Sequence, residues 1–507
     1  MDGYQIAMTG TFVGYLGLLL FIGWLGDRRH GKGYADFVTA DKSMGPWTTA
    51  LSSAASAESV WVMLGLSGLG YWKGVAAFWA ALGCILGFAF NAVFVMVRMR
   101  RDSARLGALT LSDYLEARVG DRSRWLRVWS AVLIVFFMSV YVVAQFTGAG
   151  ALMQEMEVFG GDTPYWAGVV VGAVVDGLYV LTGGYAAVCW TDTLQGLLMA
   201  LVMIGLPAYA VVEAGGFSGI AQALAGTDLI LWTTVDGVAW AGLGFAASQL
   251  AIGLGYPGMP HVVVRYITVR DDRAAVAAGW ITVGWSMIVL VGSPLLGLAG
   301  RALFPAVADF NPDCLAAGHE AQKCAEQFLP FFAREFLHPI LAGVVLAAVT
   351  AAIMSTADSQ LMYAATALIN DVWLRLRPGA ARPGDRTLII ATRVVVIVLT
   401  LAAMILALVK LRLIYTFVLF AWGALGAAFT PVVLLALYWR GLTRTGALAC
   451  MVVGPVVVIL WKILELPIYE LIPGVVAGTA AAILGSQLTR RRELSAARPH
   501  PRRREGV

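Results

Sequence analysis

The 507 residues are 59% hydrophobic and only 13% charged, where a typical soluble chain carries about 25% charge, so a water-soluble enzyme, a nucleic-acid binder and a disordered chain are excluded. The net charge of +5 comes from basic residues dispersed between apolar runs, where they act as topology signals and imply no polyanionic partner. Runs such as 394–409 are apolar on every face, unlike barrel strands of about 10 residues with alternating polarity, which leaves an all-α polytopic membrane protein.

In chain order, the first apolar run, 6–25, is followed by Asp27, Arg28, Arg29 and His30 with no small-residue cleavage site, and reads as a retained span rather than a signal peptide. Hydropathy then places about thirteen spans near 5–26, 45–70, 75–98, 125–153, 164–182, 186–213, 237–260, 274–300, 336–370, 387–409, 413–438, 445–463 and 470–488. Every second connection is basic: Arg28, Arg29 and Lys32; Arg98 to Arg124; Arg265, Arg270 and Arg273; Arg375, Arg377, Arg382 and Arg386; Arg440 and Arg444; then the tail from Arg490 to Arg504. The positive-inside rule puts these on the cytoplasmic side, the N-terminus outside and the C-terminus inside. Cys84, Cys189 and Cys450 fall in apolar spans as small core residues, whereas Cys314 and Cys324 share an outside polar loop, where a disulfide is permitted.

Two spans are impure. The second carries Ser52, Ser53, Ser56, Glu58 and Ser59, and the seventh carries Gly253, Gly255, Pro257, Gly258 and Pro260. Gly and Pro are common in membrane helices, but here each break opens a five-span unit, 2–6 and 7–11. Broken helices in matched positions of two inverted halves are the pattern that cradles substrate and ions near the bilayer midplane.

An ionisable residue inside a span is costly and therefore a functional candidate; these are Glu58, Asp176, Asp192, Asp358 and Arg393. The ninth span puts Ser355, Ser359 and Met362 on one stripe, with Thr356 beside it and Asp358 three residues after Ser355. Hydroxyls, carbonyls and carboxylates are hard oxygen ligands suited to a small cation such as sodium. The competing explanation for Ser355 and Thr356 is back-bonding or helix–helix contact; free carbonyls from a broken second span favour the ion.

Several motifs carry a family resemblance: 109–120 (Leu-Thr-Leu-Ser-Asp-Tyr-Leu-Glu-Ala-Arg-Val-Gly), 181–195 (Leu-Thr-Gly-Gly-Tyr-Ala-Ala-Val-Cys-Trp-Thr-Asp-Thr-Leu-Gln), 253–261 (Gly-Leu-Gly-Tyr-Pro-Gly-Met-Pro-His), Met354-Ser-Thr, and 438–449 (Tyr-Trp-Arg-Gly-Leu-Thr-Arg-Thr-Gly-Ala-Leu-Ala). Taken together, in this order over about residues 35 to 485, they resemble the sodium:solute symporter family. The resemblance implies a LeuT-like five-plus-five inverted repeat, with 1–34 a leading helix, 35–214 the first repeat, 215–440 the second, 441–489 two trailing helices and 490–507 a basic cytoplasmic tail.

It further implies a first sodium site from Ala55, Glu58, Ala352, Ser355 and Thr356, and a second from Asp192, Ser355, Asp358 and Ser359. Substrate would meet Tyr141, Ile252, Tyr256 and Pro260. Two departures stand out: Ala57 occupies the position of a family aspartate, with Glu58 one place later, and Ile252 replaces an indole found in the proline-specific members.

The function implied is sodium-coupled import of a small carboxylate-bearing solute, proline or a related amino acid, across a bacterial cytoplasmic membrane, without an organic cofactor or nucleic-acid partner. Two carboxylates at the second site could instead share a proton, making proton coupling the alternative. A passive channel lacks a repeated filter or charged ring. An embedded enzyme lacks a His-Glu-x-x-His or Gly-x-Ser-x-Gly signature. A solute sensor would carry a signalling domain, for which the tail after Gly485 is too short.

Overall fold

The computed structural model describes residues 2–29, 33–161, 163–230, 232, 239–376, 381–409 and 414–496. Lys32, Arg377 and the basic tail beyond residue 496 lie outside them. The described chain is all helical, with no strand. Ten of its helices are long and apolar enough to cross a bilayer, and a shorter apolar helix, Tyr165–Leu181, joins them.

The leading helix α1 (Gly3–Arg29) is followed by a broken pair, α2 (Pro46–Ala57) and α3 (Ser67–Lys73), joined by a π-helical turn at Trp61–Leu66. The helix fails at Glu58, whose backbone (φ −97°, ψ 78°) leaves the helical region. Next come α4 (Phe78–Phe90), α5 (Met96–Leu106), α6 (Leu111–Val119), α7 (Trp125–Glu155) and α8 (Tyr165–Glu213). The fifth and sixth predicted spans are the two halves of α8, bent at Gly184. Gly184 has φ +61°, a conformation that disfavours a side chain, and a Cβ there would lie 2.7 Å from the Phe37 ring.

The second broken element is α9 (Ala239–Leu250), a 3₁₀ segment Ala251–Gly258 containing Pro257, and α10 (Pro260–Thr268). Pro260 opens α10 at a position where its missing N–H costs no hydrogen bond. Then follow α11 (Asp272–Leu303), α12 (Pro339–Thr366), α13 (Asp385–Ala407), α14 (Ile414–Tyr438), α15 (Arg444–Ile463) and α16 (Leu471–Ala496).

The most interior element is α12, buried almost throughout and packed on α1, α2, α7 and both halves of α8. By contrast, α13 and the trailing pair α15 and α16 bury only a minority of their apolar length, and Leu86, Leu201, Ile204, Val394 and Ile405 are exposed, as lipid-facing residues are. Between α11 and α12, short helices carry a disulfide joining Cys314 to Cys324, with Cα atoms 5.8 Å apart. Beside it, Phe310 and Phe328 pack on Tyr71 and on Phe304, whose carbonyl accepts from the Tyr71 hydroxyl, which ties this loop to α3.

Candidate cation and substrate site

A helix end leaves carbonyls without intrahelical partners, and the break after Ala57 creates such an end in the core. Across it, α12 presents two hydroxyls. Ser355 Oγ donates to Ala55 O at 3.0 Å, and Thr356 Oγ1 donates to Ser56 O at 3.1 Å. Both also approach Ala352 O, at 3.4 and 3.1 Å. Ala55, Ala352, Ser355 and Thr356 are thus brought together, fully buried. Their neutral oxygens fit a dehydrated sodium ion, since each hydroxyl can turn its lone pair inward and yield its present acceptor to the ion.

Glu58, the fifth member of that predicted set, sends its carboxylate elsewhere. Oε1 accepts from the Tyr256 hydroxyl on the other broken element, and Oε2 has no hydrogen-bond partner among the described residues. The glutamate therefore faces the other broken element and not the cluster of Ser355 and Thr356.

The residues expected to meet substrate gather at the two breaks. Tyr141 on α7 reaches Ser59 Oγ at 3.3 Å, and Gln145, one turn on, accepts from Val60 N at 3.3 Å, capping the second half of the broken helix. Tyr256 packs against Phe88 (4.3 Å between centroids) and edge-on to Trp422 (4.8 Å). The Trp422 indole donates to Ile252 O at 3.0 Å, and Thr430 Oγ1 donates to Leu254 O at 2.9 Å, so α14 caps the second break. An indole is therefore present beside Tyr256 although residue 252 is isoleucine. Tyr141, Ile252, Tyr256 and Pro260 are all buried.

The second predicted set divides. Ser355 faces the first site, and the Tyr179 hydroxyl stands between Asp358 Oδ2 and Asp176 Oδ1, the latter at 3.3 Å. Asp192 and Ser359 meet, but around Arg265. The guanidinium donates to Ser52 Oγ at 3.0 Å, Ser56 Oγ at 2.9 Å, Asp192 Oδ2 at 3.0 Å and Ser359 Oγ at 2.5 Å, and to the His261 carbonyl. Charge spacing along the chain places Arg265 among the loop charges, whereas it is 1% exposed inside α10. Its flanks, Val262 to Val264 and Tyr266 to Ile267, are apolar, the one signal in the sequence that it lies within a span. His261 is also buried, with neither ring nitrogen hydrogen-bonded among the described residues. Arg393 stacks over the Phe37 ring at 5.6 Å, apart from the site.

Two interrupted helices facing each other across a closed polar centre, braced by α7, α12 and α14, define a secondary transporter of LeuT-like fold and not an enzyme. Residues 37–454 match the model of the sodium:solute symporter family, and the chain belongs to that family. It is 35% identical to a sodium/proline symporter of Salmonella typhimurium, over 95% of this chain and 93% of the relative. It is 32% identical to the high-affinity proline transporter PutP of Bacillus subtilis, over 93% and 96%. Among solved structures, a substrate-bound outward-open sodium-coupled sialic acid symporter superposes with a TM-score of 0.78 at 20% identity, over 95% and 98% of the two chains.

Proposed function

We propose that this chain is a sodium-coupled symporter that imports proline or a closely related amino acid across a bacterial cytoplasmic membrane by alternating access, with its N-terminus outside and its C-terminus inside. The observation that carries the reading is the bridge from Ser355 and Thr356 to the freed carbonyls of Ala55 and Ser56. Sodium bound there steadies the broken helix against α12, and the steadied break holds Ser59, Val60 and Tyr141 in the arrangement that receives substrate. Each ligand then raises the affinity of the other by the same factor. Full-length similarity to two proline transporters supports the substrate class, and the Tyr256–Trp422 pair supplies flat walls for an aliphatic ring.

In this reading residues 35–214 and 215–440 are the two inverted repeats, preceded by α1 and followed by α15 and α16, for thirteen crossings in all. The test is uptake of labelled proline into proteoliposomes under an inward sodium gradient, in competition with a panel of amino acids and short carboxylates. Accumulation that collapses with the gradient and is blocked first by proline and its ring analogues is expected; preference for an unrelated acid would overturn the substrate assignment.

A further inference from the structure

Two of the four side chains of the second cation set are already engaged by a positive charge of the chain itself. Asp192 Oδ2 and Ser359 Oγ, the two members that meet, both already accept from Arg265, at 3.0 and 2.5 Å. Ser52 Oγ and Ser56 Oγ, the other hydroxyls within reach, accept from the same guanidinium at 3.0 and 2.9 Å. Asp358, whose charge would complete the set, is turned to Tyr179 and Asp176. A guanidinium keeps its charge throughout the physiological range and offers five fixed donors. A sodium ion entering here would have to displace those donors from fully buried oxygens and then share a dehydrated space with a positive charge.

We infer that Arg265 is a resident cation occupying the second ion position, so that the chain carries one coupling sodium and supplies its second positive charge from its own side chain. The inference rests on the proposed sodium coupling. Because Arg265 belongs to α10, the tethered charge also fastens the second broken element to α2, to the second half of α8 and to α12. A free ion would leave with each turnover. The arginine stays, and Asp192 is compensated in every state in which α10 remains docked.

The test counts radiolabelled sodium bound per purified chain by equilibrium dialysis, without substrate. Wild type is expected to bind one ion, lost in Ser355→Ala. Arg265→Gln should bind two, because Asp192, Ser52, Ser56 and Ser359 are then free to ligate, and Arg265→Lys should return the count to one. The paired variant Arg265→Gln with Asp192→Asn, which removes both buried charges together, should also bind one, and it keeps the test open should Arg265→Gln alone fail to fold. Two ions in wild type, reduced to one in the paired variant, would overturn the inference, as would a single ion in both wild type and folded Arg265→Gln. No sodium bound by wild type at all would instead overturn the sodium coupling on which it stands.

Discussion

At Ser355 and Thr356 the hydroxyls do two things that mutation separates. Each makes a hydrogen bond across the break, at 3.0 and 3.1 Å, worth about 1 kcal/mol to folding; each is also, in the proposed reading, a ligand of a dehydrated ion, and an interaction with a charged group is worth about 1.5–3 kcal/mol. Ser355→Ala and Thr356→Ala are therefore expected to weaken sodium binding by about tenfold to a hundredfold, while the sodium-free melting temperature shifts little; wild-type sodium affinity in both would remove the site. Arg265 and Asp192 present the opposite case. Either charge left alone is a buried unpaired ion, costing about 3–5 kcal/mol, so Asp192→Asn should lower thermal stability sharply. Loss of both charges together should recover most of it, and equal destabilisation by the single and paired variants would contradict the pairing.

Ser355 and Thr356 were legible as candidates because hydroxyls in an apolar span are visible by residue type; the carbonyls of Ala55 and Ala352 beside them came from the family resemblance alone. Arg265 was not legible, because hydropathy reports where a charge falls along the chain and not which way a side chain turns at the end of a broken helix. Nor was Trp422, since an indole in an apolar run looks like any other core residue until the Ile252 carbonyl is seen beneath it.

Among the elements, the breaks at Glu58 and at Ala251–Gly258 fall within the impure stretches read from composition, because Ser, Glu, Gly and Pro leave helical geometry for reasons local to the chain. What closes those breaks is tertiary: Gln145, Trp422 and Thr430 come from distant helices. The close approaches are tertiary as well. A Cβ at Gly255 would lie 2.1 Å from Trp422 Nε1, so Gly255→Ala should displace the indole from the Ile252 carbonyl. Proline uptake is expected to fall at least as much as in Trp422→Phe, and wild-type uptake by Gly255→Ala would show that the contact does not shape the site. The outer loop joining α11 to α12 is held by the Cys314–Cys324 bond. Closing so short a loop restricts the unfolded chain by about 2–3 kcal/mol in the entropy model. Alkylation before reduction should label neither cysteine, and reduction should loosen the aromatic cluster around Tyr71 and Phe310, read as faster proteolysis of this loop; full labelling of both thiols without reductant would rule the bond out.

Over the whole molecule, the two broken elements are joined at two places. Glu58 meets Tyr256 after the first break, while Arg265 binds Ser52 and Ser56 before it. The proposed sodium ligands Ser355 and Thr356 reach the Ala55 and Ser56 carbonyls of the same broken helix that both contacts hold, so in the proposed reading sodium binding and release act on both broken helices at once. The most direct measurement is substrate uptake into proteoliposomes with sodium and pH gradients imposed separately, in wild type and in Ser355→Ala. Sodium-driven accumulation in wild type, lost in Ser355→Ala until sodium is raised about tenfold to a hundredfold and absent under an acid-outside gradient without sodium, is the predicted result. Uptake in sodium-free, acid-outside vesicles at the sodium-driven rate, unchanged by Ser355→Ala, would contradict it.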